Sequence, residues 1–261
     1  MNRIEERMTK LKNNKEKALI TYMTAGLPDM DKTVDIIKAQ AEAGVDVIEL
    51  GIPFSDPIAD GPVIQDASFR SIEKGTNLTK VFEAVARMRK DCEVPIVFMM
   101  YFNTVLHYGV EPFVKKCREV GVDGVIIPDM PYEEQYEIRQ YLDEESPILI
   151  QLVSPVSKER IPMLVKDAKG FIYCVSSMGV TGQGGDFHSN LSSYLNEVKQ
   201  IAEVPVMMGF GIRTADDIRG QEDIIDGAIV GTAFIRLMEE NQYDLNVIAD
   251  YIRTFKREMN G

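Results

Sequence analysis

The amino-acid sequence predicts an α/β protein folded as a (β/α)8 TIM barrel with an extra N-terminal helix. Eight apolar runs alternate with amphipathic, charged segments along the 261 residues, which is the pattern of a parallel sheet covered by helices. The runs are continuously apolar, as expected of strands buried on both faces. They are Ala18–Thr24, Val45–Leu50, Pro95–Tyr101, Gly124–Ile127, Pro147–Val153, Gly170–Val175, Val204–Gly209 and Asp226–Gly231. Eight such units fit this barrel, with a doubly wound sheet as the alternative.

Helical patterns lie between the runs. The main ones are Asp31–Ala43, Leu78–Lys90, Val110–Val120, Glu133–Glu144, Lys158–Lys166 and Asn190–Ile201. Asn2–Glu16 reads as an additional amphipathic helix with Ile4, Met8 and Leu11 on one side, which could plug the bottom of a barrel. No linker or shift in composition divides the chain, so residues 1–261 are expected to form a single barrel domain.

Two connections are longer than the usual two to six residues, namely Gly51–Thr76 and Ser176–Ser189. Long loops at the catalytic face of such folds are often lids. A shorter signal recurs before three strands, where Asp46, Asp123 and Asp226 each lead from a glycine-containing turn into an apolar run. This is common chemistry for the loop between a helix and a strand.

Composition narrows the class of function. The chain has 29 Lys and Arg against 41 Asp and Glu, a formal net charge of −12, so a nucleic-acid binder is not expected. Three widely spaced cysteines (Cys92, Cys117 and Cys174) and only two histidines offer little for a metal site, and none is expected. The cysteines suit a reducing, cytoplasmic setting. The charged N-terminus does not resemble a signal peptide, and no run approaches the roughly 20 apolar residues of a membrane helix.

Glu49 is the first candidate catalytic residue. It lies at the carboxyl end of the run Val45–Leu50, just before Leu50, and alternation along a strand places Val45, Val47 and Glu49 on one face. Catalytic groups of α/β enzymes lie at the carboxyl ends of parallel strands. The eight runs contain no Lys or Arg to pair with this acid, so its pKa should be raised, which suits proton transfer. The alternative is a structural ion pair with a basic residue of the barrel.

Asp60 is the second candidate. The Pro/Gly/Asp-rich loop after Glu49 brings it back toward the same mouth, and two carboxylates in different surroundings can divide acid and base roles. Asp60 and Asp56 could instead be turn residues, since Gly and Pro respectively follow them. Asp129 also ends a strand and is a rival acid, although a role in bracing its loop fits it equally well.

Three glycine-containing segments predict a phosphate site. Gly179–Gly182, Gly209–Ile212 and Gly231–Ala233 follow the sixth, seventh and eighth runs. Barrels frequently bind phosphate with the loops after strands 7 and 8. Glycine lets the backbone approach the anion, free N–H groups at a helix start donate to it, and Thr232 adds a hydroxyl. Tight turns also need glycine for structural reasons, which is the alternative.

Apolar side chains near the carboxyl ends of the runs could line a pocket of aromatic size below these loops. They are Tyr22, Met99, Ile126, Leu152, Tyr173 and Phe210. For any single one of them, a place in the ordinary barrel core is the alternative.

Together these segments resemble the tryptophan synthase α subunit family. The match is carried by Glu49–Gln65, Met100–Asn103, Ile127–Pro131, Ser176–Gly182, Gly209–Ile212 and Gly231–Ala233. It runs through nearly the whole chain. The first segment, ELGIPFSDPIADGPVIQ, is the most specific, whereas the glycine loops alone would fit several phosphate-binding barrels.

The resemblance implies a lyase of tryptophan biosynthesis that cleaves indole-3-glycerol phosphate to indole and glyceraldehyde 3-phosphate without a cofactor. Glu49 would be the principal acid and base, and Asp60 would hold the indole N–H and stabilise the positive charge on the protonated ring. The phosphate contacts map to the backbone of Gly182, Gly211 and Gly231, plus Thr232. The pocket residues above and Thr181 would contact the substrate.

The resemblance also implies a β-subunit partner in an α2β2 complex, with pyridoxal phosphate confined to that partner. Residues that match the family's contact face include Pro53, Asp56 and Asn103. The loops Pro53–Asp60 and Ser176–Ser189 would close over the substrate. One departure is the pair Gly184 and Gly185, where family members often carry an Arg soon after the Thr-Gly, so lid closure would be looser or more dependent on the partner.

Two other functions remain open at this point. Another phosphate-sugar barrel enzyme would explain the glycine loops but not Glu49–Gln65. A non-catalytic or weakly active subunit that only binds and activates a β chain is disfavoured, because both Glu49 and Asp60 are retained.

Overall fold

A computed structural model describes residues 2–175, 186–209 and 211–261 of the chain. The described strands form one sheet in which every paired neighbour is parallel. They are β1 (Ala18–Thr24), β2 (Val47–Gly51), β3 (Ile96–Met99), β4 (Gly124–Ile126), β5 (Ile148–Leu149), β6 (Gln151–Val153), β7 (Ile172–Val175), β8 (Val206–Gly209) and β9 (Gly227–Val230).

The sheet closes almost completely on itself. Its strands lie in the order β5-β4-β3-β2-β1-β9-β8-β7-β6, so β5 and β6 are the two outermost strands. Only Ile150 separates these two strands in the chain, and its N–H donates to the carbonyl of Val125 at 2.9 Å. Eight predicted runs therefore become nine strands because the fifth run is split at Ile150. The predicted barrel is confirmed.

Eleven α-helices occur in the described part of the chain. They are α1 (Arg3–Asn14), α2 (Met30–Ala43), α3 (Pro62–Glu73), α4 (Leu78–Met88), α5 (Phe102–Tyr108), α6 (Val110–Val120), α7 (Tyr136–Arg139), α8 (Ile161–Lys166), α9 (Asp186–Ile201), α10 (Thr232–Glu240) and α11 (Leu245–Asn260). Among these residues, no helix has the length and apolar character needed to cross a membrane.

Helix α1 closes the amino-terminal end of the barrel, as its sequence pattern predicts. Ile4, Met8 and Leu11 are buried and pack with interior strand residues such as Ile20 and Val47. A capping box fixes the helix start, because the Asn2 side chain accepts the N–H of Ile4 while the Glu5 side chain accepts the N–H of Asn2. The predicted extra helix is therefore a structural seal.

The face prediction for the second strand is correct for Glu49 and Val47 but wrong for Val45. Val47 packs in the interior cluster, whereas Val45 packs outside the barrel with Ile48 and Leu50. The reason is that β2 begins only at Val47, so the two-residue alternation does not extend back to Val45.

Two helix predictions also need correction. The segment Gly51–Thr76 is not all loop, since it contains α3, which starts at Pro62 directly after Gly61. The pattern Glu133–Glu144 does not form one helix, because only a 3-10 turn at Tyr132–Glu134 and the single turn α7 are present there.

Three aspartates brace the amino-terminal end of the sheet in the same way. In each case the backbone N–H of the aspartate, which is Asp46, Asp123 or Asp226, donates to the carbonyl of one residue on a neighbouring strand. The carboxylate of the aspartate accepts the N–H of that same residue. The three partners are Leu19, Ile96 and Val206, with N–H to carboxylate distances of 2.7, 2.8 and 2.7 Å. Each carboxylate is also ion-paired. The recurring aspartate in the sequence is thus a repeated clamp between strands.

Candidate active site

Glu49 lies in the interior of the barrel near its carboxyl-terminal mouth. It stands in register with Tyr22 of β1 and Val97 of β3 and is 2% exposed. Its Oε2 atom has no hydrogen-bond partner among the described residues. Burial raises the pKa of Glu49 to about 8, and the negative charge of Asp60 adds to the shift. The position of Oε2 and the direction of the pKa shift agree with the unpaired carboxyl that the sequence predicts.

Asp60 lies close enough to Glu49 for the two charges to interact. Its carboxylate accepts a hydrogen bond from the Tyr101 hydroxyl at 2.9 Å. Burial raises the pKa of Asp60 to about 6, while the bond from Tyr101 acts in the opposite direction. Near neutral pH, Asp60 is therefore mostly ionised and Glu49 mostly protonated. The site combines a proton donor with a fixed negative charge.

Tyr101 is a site residue that the sequence reading missed. It follows β3 by two residues and is 4% exposed. Its hydroxyl donates to Asp60 and accepts the backbone N–H of Ala59 at 2.9 Å. The ring stacks on Phe54 with centroids 5.0 Å apart. The available signal was a hydroxyl-bearing aromatic residue directly after a strand end, inside the segment Met100–Asn103.

Helix α3, also missed, anchors the loop that carries Asp60. The Ser68 hydroxyl accepts the N–H of Phe54 at 2.8 Å and donates to its carbonyl at 3.2 Å. The Gln65 side chain donates to the Asp60 carbonyl at 2.9 Å. Both ends of the segment 54–60 are therefore fixed by one helix.

Two tyrosines lie at the mouth beside the carboxyl groups. The Tyr22 hydroxyl is 2.1 Å from the position that a Cβ atom on Gly51 would take, and the Tyr173 ring is 2.6 Å from the equivalent position on Gly209. Both glycines therefore make room for aromatic rings. Burial raises the pKa of Tyr22 and of Tyr173, and the charges of Glu49 and Asp60 add to both shifts, so both hydroxyls stay neutral.

The other predicted pocket residues are placed as follows. Met99 and Leu152 are partly buried and pack on the interior cluster, and Ile126 is fully buried within it. Ile126 is thus part of the barrel core beneath the mouth. Phe210 and Thr181 lie outside the described residues.

Two of the predicted phosphate-binding glycines are described. Gly211 has φ of +79°, and no atom of the described residues lies within 4 Å of where its Cβ would be. Gly231 directly precedes α10, whose first residue is the exposed Thr232. Residues 176–185, which the sequence predicts to belong to a lid and which include Gly182, Gly184 and Gly185, lie outside the described residues.

Asp129 braces its loop, which is the second of the two roles that the sequence allows for it. Its exposed carboxylate accepts the N–H of Phe102, the first residue of α5, at 2.9 Å. Asp56 is exposed and accepts the Ser55 hydroxyl at 2.5 Å, in a turn where its carbonyl accepts the N–H of Ile58.

The residues predicted to face a partner lie in the loops at the mouth. Pro53 is half-buried, while Asp56 and Asn103 are exposed. Pro53 and Asp56 belong to the loop after β2, and Asn103 lies on α5. Nothing in the described residues covers Asp56 or Asn103.

Comparisons with known proteins agree with this geometry. The model of the family described as "Tryptophan synthase alpha chain" matches residues 8–261. The chain is 61% identical to the tryptophan synthase alpha chain of Lachnospira eligens over 100% of both chains. It is 45% identical to that of Alkaliphilus metalliredigens over 94% of this chain and 92% of the relative.

The fold is also similar to those of solved structures. The crystal structure of tryptophan synthase subunit alpha from Legionella pneumophila matches with a TM-score of 0.90 at 33% identity, covering 99% of this chain and 98% of the other. The corresponding subunit from Campylobacter jejuni matches with a TM-score of 0.83 at 34% identity, covering 94% and 98%.

Proposed function

Since this chain belongs to the family of tryptophan synthase alpha chains, we propose that Glu49 and Asp60 are the groups with which it cleaves indole-3-glycerol phosphate. The enzyme is a lyase whose products are indole and glyceraldehyde 3-phosphate. The observation that carries the assignment of residues is the buried Oε2 of Glu49, which has no hydrogen-bond partner among the described residues, together with a pKa raised to about 8. A carboxyl group in that state can both give and take a proton near neutral pH.

The reaction needs two proton transfers, one to a ring carbon and one from the hydroxyl on the side-chain carbon bonded to it. In the first, protonated Glu49 gives its proton to C3 of the indole ring, and the ring nitrogen becomes positively charged. In the second, the resulting carboxylate takes the proton of the hydroxyl on the adjacent side-chain carbon. The carbon–carbon bond breaks, its electron pair restores the neutral indole, and the hydroxyl carbon becomes an aldehyde. Glu49 ends protonated, as it began.

Asp60 stabilises the charge that develops between these steps. Its pKa of about 6 keeps it ionised near neutral pH, and it lies close to Glu49. An anion next to the indole N–H favours the positively charged ring and fixes its orientation. Separate pKa values for the two carboxyl groups support separate roles.

The phosphate is assigned to the loops after the seventh and eighth barrel strands. The open backbone at Gly211 and the start of α10 at Gly231 and Thr232 support this assignment, because helix N-termini favour anions. Gly182 is proposed as the third backbone contact. Tyr22, Met99, Leu152 and Tyr173, with Phe210 and Thr181, would surround the indole, and Ile126 would lie beneath it.

The partner is proposed to be a tryptophan synthase β subunit in an α2β2 complex. Pro53, Asp56 and Asn103 would lie in the contact face. Two exposed apolar side chains support this choice, because Ile58 is 83% exposed in the same loop as Pro53 and Asp56, and Leu106 is 53% exposed on the same helix as Asn103. In this proposal pyridoxal phosphate is bound only by the partner, and the complex is cytoplasmic.

The test is indole release from indole-3-glycerol phosphate with the β subunit added. Glu49→Gln keeps the size of the side chain but cannot transfer a proton, so we expect a fall of about 10²–10⁴-fold in kcat. Glu83→Gln, an exposed position on α4, is the matched control and should retain wild-type activity. Near wild-type release by Glu49→Gln would remove Glu49 from this role.

A further inference from the structure

Tyr101 makes two hydrogen bonds to the loop after β2 that carries Asp60, and a residue that only lined a pocket would need neither. Its hydroxyl bridges the Asp60 carboxylate and the Ala59 N–H, each at 2.9 Å. The Tyr101 side chain therefore binds two successive residues of the loop. It binds Ala59 through the main-chain N–H and Asp60 through the carboxylate.

Three contacts hold Tyr101 in place, one through its ring and two through the backbone of the residues on either side. It stacks on Phe54, with an angle of 21° between the ring planes. The preceding residue, Met100, donates its N–H to Ile126 at 3.0 Å, and the following residue, Phe102, donates its N–H to Asp129 at 2.9 Å. The hydroxyl is thus presented to Asp60 by a segment bonded on both sides to the next βα unit.

We propose that Tyr101 is a positioning residue that holds the Asp60 carboxylate in its working place at the mouth. This inference rests on the proposed role of Asp60. It adds a residue that acts through Asp60 and not on the substrate. A hydroxyl that donates to one carboxylate oxygen leaves the other oxygen free to accept the indole N–H. Misplacement of such a group by about 1 Å can cost about 10²-fold in rate.

The hydrogen bond also has an electrostatic effect. Burial raises the pKa of Asp60, and the bond from Tyr101 lowers it. The other titratable groups whose interaction with Asp60 the structure records are Glu49 of β2, Tyr22 of β1 and Tyr173 of β7. Both tyrosines are neutral, and Glu49 is mostly protonated below pH 8, so the hydrogen bond from Tyr101 is the interaction among these that favours the ionised form of Asp60.

Tyr101→Phe is the direct test, because it keeps the ring and its stack on Phe54 but removes the hydroxyl. In the complex with the β subunit, we expect kcat to fall by about 10- to 100-fold while KM changes by less than about threefold. The acidic limb of kcat/KM, which reports the ionisation of Asp60, should move to higher pH by about one unit. Tyr141→Phe, at a partly exposed tyrosine of another segment, is the control.

A double-mutant cycle separates positioning from a general structural effect. In an Asp60→Asn background the added Tyr101→Phe should change kcat less than about twofold, since the two residues act as one unit. Phe54→Leu loses the ring stack but keeps the hydroxyl, and it should give a smaller shift of the same sign. An unchanged pH profile and kcat in Tyr101→Phe, or an equal loss in the Asp60→Asn background, would overturn the inference. Either result leaves the Glu49 assignment standing, because Glu49→Gln is assayed separately.

Discussion

Glu49 is a residue whose chemistry works against the stability of the fold. Its side chain is buried with one carboxyl oxygen unpartnered among the described residues, and its pKa rises from 4.5 to about 8. At pH values below 4.5 the carboxyl is protonated in both the folded and unfolded states. Between pH 4.5 and 8 it ionises only on unfolding, so the folded state loses stability as the pH rises. Above about pH 8 the loss is complete.

Glu49→Gln should therefore stabilise the folded protein at neutral and alkaline pH. Relative to wild type, its free energy of unfolding should be similar at pH 4.5 and higher by about 4 kcal/mol at pH 8. Urea unfolding measured across this range checks the prediction, with Glu83→Gln as the control that should not diverge from wild type. Two parallel curves would show that burial of Glu49 carries no such cost.

The limit of sequence reading at this scale is clear from Asp60 and Tyr101. Glu49 and Asp60 can be predicted from the sequence because one acid lies at the end of an apolar run and the other lies in the loop that follows it, only 11 residues later. The bond from Tyr101 to Asp60 joins residues 41 positions apart, and no local pattern records it. Thr181, Gly182 and Phe210 lie outside the described residues, so their roles stay predictions.

At the scale of elements, Asp46 connects β2 to three other parts of the chain. Its fully buried carboxylate accepts the N–H of Leu19, an ion pair from Arg7 of α1 and one from Lys256 of α11. Two terminal helices and two strands thus meet at one acid. The strength of such a buried group depends on all of its partners being present.

Asp46→Asn should destabilise the fold by about 3–5 kcal/mol, because it leaves two cations with a neutral partner at a buried site. The control is Asp31→Asn, whose pair with Arg87 is exposed and should contribute less than about 1 kcal/mol. Chemical unfolding at pH 7 measures both, and kcat at a temperature well below unfolding should be unchanged in each. If Asp46→Asn lowers the free energy of unfolding no more than Asp31→Asn does, the contacts of Asp46 do not stabilise the fold as proposed.

The sequence predicts the strands more accurately than the helices, and the difference has a physical cause. The strands are continuous apolar runs, and all eight runs contain strand residues at the predicted places. Helix α3 was missed because its buried residues are Ala67, Ser68 and Ser71, which give no apolar stripe. The segment Glu133–Glu144 has helix-forming residues, yet of α7 only Ile138 is buried, and one buried side chain does not sustain a long helix.

At the scale of the whole molecule, we propose that residues 1–261 form one domain whose mouth docks on the β subunit. Leu106→Asp places a charge on the exposed, apolar part of α5. We expect it to weaken β binding by at least about tenfold, while the rate of the isolated chain stays the same. Titration of β-dependent indole release measures this affinity.

The control for docking is Ile201→Asp, which changes an exposed apolar side chain at the carboxyl end of α9, near the start of β8 and away from the mouth. It should leave the titration curve unchanged. If both substitutions weaken binding to the same extent, or neither does, the contact face lies elsewhere.

The three aspartate clamps and the α1 seal lie at the amino-terminal end of the barrel, while Glu49, Asp60 and Tyr101 lie at the mouth. The two groups of residues lie at opposite ends of the strands, so the effects of their substitutions on stability should add. The loops at the mouth can therefore change during evolution with little harm to folding, as long as the clamps remain. A new substrate specificity could then be acquired by loop replacement alone, on a scaffold whose stability is secured at its other end.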